Sequence, residues 1–335
     1  MADPLLEIRN LTVSFATDEG NITAVEDVSF SLEKGEILGL VGESGCGKSV
    51  TSLAVVRLIP IPPGKIQSGQ AIFKGRDLLG LPPEEMRRIR GNEISMIFQE
   101  PMAALSPLQR IGQQLVEALQ LHDADLSRKD AWRRAESWLD QVRIKDADER
   151  MYAYPYQLSG GQQQRVMIAM AMMQSPDLII ADEPTTALDV TIQAQVFKLI
   201  REMRQEKTSI LLITHDMGVI WEMCDRVMVM YASKIVEKGT KSELFANPAH
   251  PYTRGLLASI PRLTARAGRL YSIPGQVPSP FDYPSGCHFR DRCPHAFDRC
   301  AQEEPRLLQL SGSHRAACFI ADELVKKGNG VGPDG

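Results

Sequence analysis

Gly42-Glu43-Ser44-Gly45-Cys46-Gly47-Lys48-Ser49 decides the fold of this chain. It fits the pattern G-x-x-x-x-G-K-[ST], a loop whose backbone N–H groups curl around phosphate oxygens. Its surroundings agree with that reading. The apolar run from Glu36 to Val41, bounded by Gly35 and Gly42, predicts a buried strand. The segment from Lys48 to Leu58 predicts a helix stopped by Pro60, Pro62 and Pro63. A strand before the loop and a helix after it give the anion the helix's positive dipole end. Lys48 then offers a point charge to the β- and γ-phosphates, and the Ser49 hydroxyl suits Mg²⁺. ATP binding and hydrolysis are the expected chemistry. Cys46 fills an open position of the pattern as a tolerated small residue rather than a catalytic thiol, at a place where alkylation would inactivate.

Downstream, apolar runs alternate with amphipathic segments. Strands are expected at 94–98, 178–181 and 209–213, and helices at 161–174 and 192–205. A further strand pair is expected at 226–230 and 234–236. Such alternation predicts an α/β fold with a largely parallel sheet covered by helices. Residues 110–151 are polar and helical in pattern, with Trp132, Trp138, Leu139 and Val142 as apolar anchors, and read as a helical insertion. The strand from Leu178 ends in Asp182 and Glu183, at the sheet edge where α/β proteins place their ligand chemistry. Asp182 can hold the Mg²⁺ shell. Glu183 stands next to polarise the attacking water. His215 follows another apolar strand. It can contact the γ-phosphate, or serve structurally as a lone histidine at a strand end often does.

The bulk properties exclude other classes. The chain has 335 residues, 43% of them hydrophobic, with a net charge of −4. That is enough apolar residue for a sizeable core, and the charge gives no basic surface for nucleic acid. No run approaches the roughly 20 apolar residues of a membrane helix, and no secretory signal is visible at the start. A cytoplasmic protein is expected, reaching a membrane only through a partner. Four of the six cysteines, Cys287, Cys293, Cys300 and Cys318, fall within 32 residues of a proline-rich, apolar-poor stretch after Pro261. Four thiolates suit a [4Fe–4S] cluster or tetrahedral zinc, or stand unligated; their spacing departs from the paired C-x₂₋₄-C of most zinc sites.

Many phosphate-loop proteins satisfy this much. Leu158-Ser159-Gly160-Gly161-Gln162-Gln163-Gln164-Arg165 separates them, because it is a second Gly-rich turn opening onto a helix. One nucleotide does not need two such surfaces from one chain, whereas a nucleotide held between two chains does. This stretch resembles the signature of the ATP-binding cassette (ABC) ATPases, and the rest of that pattern follows in order over residues 5–260. The resemblance implies an ABC ATPase fold of the phosphate-loop class, with a RecA-like core, an antiparallel β subdomain and an inserted helical subdomain near 100–165. It implies Phe15 on the adenine, and Gly42, Ser44, Gly45, Cys46, Gly47, Lys48, Ser49 and Val50 around the phosphates. Ser49, Asp182 and Gln99 would surround Mg²⁺, with Gln99 also linking the nucleotide to a transmembrane partner. Glu183 and His215 would act in hydrolysis. Ser159, Gly160, Gly161, Gln162 and Asp189, the last within Ala187-Leu188-Asp189, would serve the facing chain.

Three further stretches resemble the ATPases of bacterial dipeptide and oligopeptide importers more narrowly, as their D-type subunit. They are Gln99 to Pro107, Asp182 to Val190, and His250-Pro251-Tyr252-Thr253. That resemblance implies a heterodimer with a second homologous ATPase and two transmembrane permease subunits. It also implies an extracytoplasmic substrate-binding protein and a peripheral place on the cytoplasmic face of the inner membrane. Nickel-chelate and glutathione importers share these features, and a soluble ABC ATPase is the reading from another class. Similar cysteine-rich tails carry [4Fe–4S] clusters, with zinc as the alternative here. The expected division is residues 1–260 for the ATPase, 261–325 for a small cysteine-rich domain and 326–335 for a disordered tail.

Overall fold

The computed structural model describes residues 3–185, 189–204, 207–260 and 271–326. The chain forms two compact units, one of Met1–Leu79 with Thr214–Gly335 and one of Gly80–Ile213.

In the first unit, an antiparallel sheet runs Gly20–Leu32, Leu6–Thr17, Gly64–Phe73, Arg76–Asp77 in spatial order. Leu6, Ile8, Leu11 and Val13 bury one face of its second strand. The unit's other sheet segment runs Leu308–Ser311, His314–Ala316, Lys234–Thr240, Arg226–Tyr231, Ile37–Val41. All neighbours there are antiparallel except the last pair, in which Leu38 stands opposite Arg226 in a parallel ladder. Ile37–Val41 is buried at every position, as a continuous apolar run between glycines demands. The strand pair expected around 226–236 is a hairpin turning at Ala232 and Ser233, with φ of 43° and 73°.

The second unit holds a parallel set, Ile94–Ile97, Leu178–Asp182 and Ser209–Thr214, with Ile94 opposite Leu178 and Leu178 opposite Ser209. The polar stretch expected to be helical forms Ile111–Gln120, Arg128–Gln141 and Ala147–Arg150. Ala131, Ala135, Leu139 and Val142 are its buried anchors, while Trp132 and Trp138 are half-buried. Among the described residues no helix is long and apolar enough to cross a membrane.

One local expectation needs correction. The helix after the phosphate loop spans Lys48–Val55 and ends before any proline, because Arg57 turns to a left-handed φ of 54°. The cysteine-rich stretch also contributes to a sheet. Its strand His314–Ala316 pairs with Lys234–Thr240, and Ala316 packs with Ala249 and Ala321. The expected boundary at Pro261 and the end of the chain after Lys326 lie outside the described residues.

Candidate nucleotide site

The phosphate loop joins the strand Ile37–Val41 to the helix Lys48–Val55. Gly47 caps that helix at φ 108°, and a Cβ there would stand 2.2 Å from the Ala24 carbonyl oxygen. Only glycine fits on both counts. Lys48 is 4% exposed, and its ammonium donates to the carbonyls of Gly42 at 2.8 Å and Glu43 at 3.0 Å. Ser44 and Gly45 form the exposed crown of the loop, and Ser49 and Val50 are half-buried. The hairpin tip braces the loop from below, where Ser233 N–H donates to the Cys46 carbonyl at 3.0 Å. Cys46 is fully buried, and burial pushes its thiol pKa up. The thiolate is the form that alkylates, so this burial works against alkylation here. In the same unit Phe15 lies half-buried on the antiparallel sheet, and His215 is exposed at the start of the helix Met217–Met223. Asp216 caps that helix, accepting from Gly218 N–H at 2.7 Å.

The second unit brings the acids to one sheet edge. Ile97 stands opposite Ala181 in a parallel ladder, so Gln99 and Glu183, each two residues further on, leave the same end of the sheet. Gln99 is exposed, while Asp182 and Glu183 are 4% and 9% exposed. Glu183 takes a left-handed φ of 44° and donates its N–H to the Ile213 carbonyl at 2.9 Å. Ser159 opens the helix Gly160–Met172 through a reciprocal cap. Its hydroxyl accepts from Gln162 N–H at 3.3 Å, and Gln162 Oε1 accepts from Ser159 N–H at 3.0 Å. Ser159 and Gly160 are exposed, and a Cβ on Gly160 would meet nothing within 4 Å. An uncovered N-terminus of this kind can receive an anion. Asp189 caps Val190–Met203 by accepting from Ile192 N–H at 2.9 Å. Ala187 and Leu188 lie outside the described residues.

The four cysteines converge. Cys287, Cys293, Cys300 and Cys318 line one small cavity of about 20 Å³, walled by Phe289, Phe297 and His250 among others. None is in a disulfide. Burial raises the Cys293 thiol, and raises Cys287 to about 11 and Cys318 to about 12, with the neighbouring cysteines adding to each. Among the described residues no three Cys, His, Asp or Glu side chains are disposed to hold a single metal ion. His250 is wholly buried, and its Nδ1 accepts from Tyr252 N–H at 3.1 Å. The remaining nitrogen, Nε2, finds no hydrogen-bond partner among the described residues. Burial lowers its pKa to about 4, so the ring is neutral with its proton on Nε2. An orphaned donor beside four thiols fits a sulfur-rich anionic centre.

Arg292, Tyr252 and Glu43 also meet at the loop, an arrangement the sequence analysis did not foresee. The only signal was His250-Pro251-Tyr252-Thr253, singled out there without a role.

Comparison with known proteins places the chain in a family. The model of the ABC transporter family matches residues 25–186, and that of the oligopeptide/dipeptide transporter C-terminal region matches residues 236–300. The probable peptide ABC transporter ATP-binding protein y4tR of Sinorhizobium fredii is 49% identical over 97% of both chains. The oligopeptide transport ATP-binding protein OppD of Escherichia coli is 47% identical over 95% of this chain and 94% of its own. The dipeptide transport ATP-binding protein DppD of Bacillus subtilis is 48% identical over 97% of both. Among solved structures, the dimeric post-hydrolysis state of the ATP-binding cassette MJ0796 with ADP and Pi superposes with a TM-score of 0.63 at 26% identity. It covers 70% of this chain and 98% of that one. With an ABC cassette fold of mixed α/β sheets and full-length relatives of this kind, the chain belongs to the ABC transporter family, among the ATP-binding proteins that carry the oligopeptide/dipeptide C-terminal region.

Proposed function

We propose that this chain is the ATP-hydrolysing subunit of an importer for dipeptides or oligopeptides. The observation that carries this reading is the pairing of a complete phosphate loop with an exposed, reciprocally capped signature helix in a chain alike end to end with peptide-transport ATPases. A single nucleotide has no use for both surfaces from one chain. A head-to-tail pair of ATPases uses both, each ATP lying between one chain's loop and the other's signature. The second ATPase is a homologous subunit. Two transmembrane permease subunits hold the pair peripherally at the cytoplasmic face of the inner membrane, and an extracytoplasmic binding protein delivers the peptide. Residues 1–260 form the ATPase, 261–325 the cysteine-rich domain and 326–335 a tail.

Within the site, backbone N–H groups from Gly42 to Ser49 and the Lys48 ammonium hold the phosphates, and Phe15 stacks on adenine. Ser49, Gln99 and Asp182 carry the hard oxygen donors that Mg²⁺ prefers. When bound, the ion neutralises phosphate charge as the β–γ bridge breaks. Glu183 accepts a proton from the attacking water, and His215 contacts the γ-phosphate. Cys287, Cys293, Cys300 and Cys318 would hold a [4Fe–4S] cluster in a structural or regulatory role. What supports this reading is that the four thiols and the unpartnered His250 ring line one cavity.

Co-purification tests the assembly. The tagged chain, expressed with its neighbouring genes, should bring down two membrane subunits and a second ATPase, and Lys48→Ala should abolish ATP-dependent peptide uptake. A ribosome or DNA complex in their place would overturn the transport reading, and nickel or glutathione uptake would reassign the cargo. Anaerobic purification tests the cluster: a colourless protein with stoichiometric zinc would overturn it.

A further inference from the structure

Glu43 occupies a position that the phosphate-loop pattern leaves open to any residue. In this chain it is held twice. Arg292 Nη1 lies 2.7 Å from Glu43 Oε2, and Nη2 lies 3.1 Å from Oε1, a two-point ion pair. The Arg292 side chain is 5% exposed and that of Glu43 32%, so water screens this pair less than it does a fully exposed one. Its other donor is also engaged, Nε giving to the Pro274 carbonyl at 2.9 Å. The guanidinium lies 5.7 Å from the centre of the Tyr231 ring and 5.9 Å from that of Phe289. On the backbone, Glu43 N–H donates to the Tyr252 hydroxyl at 2.8 Å.

Both clamps adjoin residues that line the four-cysteine cavity, and Tyr252 directly follows one of them, Pro251. Arg292 directly precedes Cys293. Phe289 lines the cavity and packs against Tyr231, Tyr252 and His250, with ring centres 5.1, 5.4 and 5.7 Å away. One aromatic layer therefore separates the cysteines from the outer rim of the loop.

We propose that Arg292 and Tyr252 are positioning residues for ATP hydrolysis, which hold Glu43 so that the phosphate loop stays curled for the nucleotide. Two physical effects act together. A loop that binds through backbone N–H groups binds more tightly when its shape is fixed beforehand. A carboxylate at the rim of an anion site repels phosphate, and the bidentate Arg292 neutralises it. Both act on binding, so their loss appears in affinity and KM rather than in kcat.

The test uses the full chain, a fluorescent ATP analogue with Mg²⁺, and turnover in the assembled transporter. Arg292→Gln should weaken binding about five- to tenfold, the loss of one charge-assisted pair. It should raise KM by a similar factor while kcat at saturating ATP stays within about twofold. The loss should shrink as salt is raised, which a purely structural defect would not show. Glu43→Gln added to Arg292→Gln should recover most of the affinity, because the unpaired carboxylate is gone. Tyr252→Phe keeps the ring and should raise KM about threefold; it decides the matter should Arg292→Gln not fold. Unchanged affinity in the folded variants, or a double variant no better than Arg292→Gln, would overturn the proposal. It rests on Gly42–Ser49 being the nucleotide loop, so Lys48→Ala is titrated alongside. Wild-type binding by Lys48→Ala would sink that reading instead.

Discussion

His314 Nε2 lies 2.7 Å from Glu237 Oε1, and the two side chains are 2% and 0% exposed. The same carboxylate accepts from Ala249 N–H at 2.7 Å and from His250 N–H at 2.8 Å. One buried acid thus ties the strand Lys234–Thr240 to the strand His314–Ala316 and to the entry of the helix Pro251–Ala258. Glu237→Ala would leave three donors without an acceptor inside the protein. We expect it to cost at least about 3 kcal/mol, since each buried donor left without an acceptor costs about 1–3 kcal/mol. Urea denaturation measures this, and a loss under about 1 kcal/mol would show that water replaces the carboxylate.

Ser159 has two separable jobs, since its hydroxyl caps a helix while its exposed N-terminal turn faces outward. Ser159→Ala removes the cap and should cost about 1 kcal/mol. Ser159→Asp keeps a good cap, so stability should stay within about 0.5 kcal/mol of wild type. Its new negative charge stands where the partner's ATP would lie. Hydrolysis by the assembled ATPases should therefore fall strongly in the stable aspartate variant. Thermal melting and ATP turnover, measured on the same preparations, separate the two effects.

The features the sequence revealed are those written in local spacing. The phosphate loop needs glycine and lysine at fixed intervals, and Leu178–Asp182 and Ser209–Thr214 are unbroken apolar runs, so their ends were placed within a residue. The N-terminal strands Leu6–Thr17 and Gly20–Leu32 gave no comparable pattern. Their pairing shifts register between Ile8 and Leu11, again by Val13 and again by Ser14, and each irregularity breaks the alternation of faces. His314–Ala316 is three residues long and is held by Glu237, 77 positions away. Arg292 and Glu43 are 249 positions apart, and no local rule relates them.

Lys238 predicts a pH dependence. Burial, then repulsion from Arg315 and Arg226, lowers its pKa to about 8, while its ammonium donates to the Ser29 carbonyl at 3.1 Å. An unfolded lysine keeps its proton to about 10.4. Between those values the unfolded chain binds more protons than the native one, so this group makes stability rise with pH. The cost of the buried charge is fully present below pH 8 and relieved above it. Urea unfolding at pH 7.5 and 9.5 should show that rise in the wild type and a smaller one in Lys238→Met. An equal rise in both would assign it to other groups.

Glu183 gives the sharpest separation of stability from chemistry. It follows the buried strand Leu178–Asp182 in a left-handed conformation, φ 44°, that glycine adopts without penalty. Glutamate there costs about 1 kcal/mol in backbone strain. Its side chain is the part that a glycine would not supply. Glu183→Gln keeps the turn and the size but removes the proton acceptor. It should lower single-turnover hydrolysis at least ~100-fold while ATP still binds. Glu183→Gly should lose hydrolysis equally, yet be more stable than Glu183→Gln by about 1 kcal/mol, because it relaxes the turn. Hydrolysis at the wild-type rate in Glu183→Gln would move the general base to another residue. A glycine variant less stable than the glutamine one would show that the side chain's packing outweighs the strain.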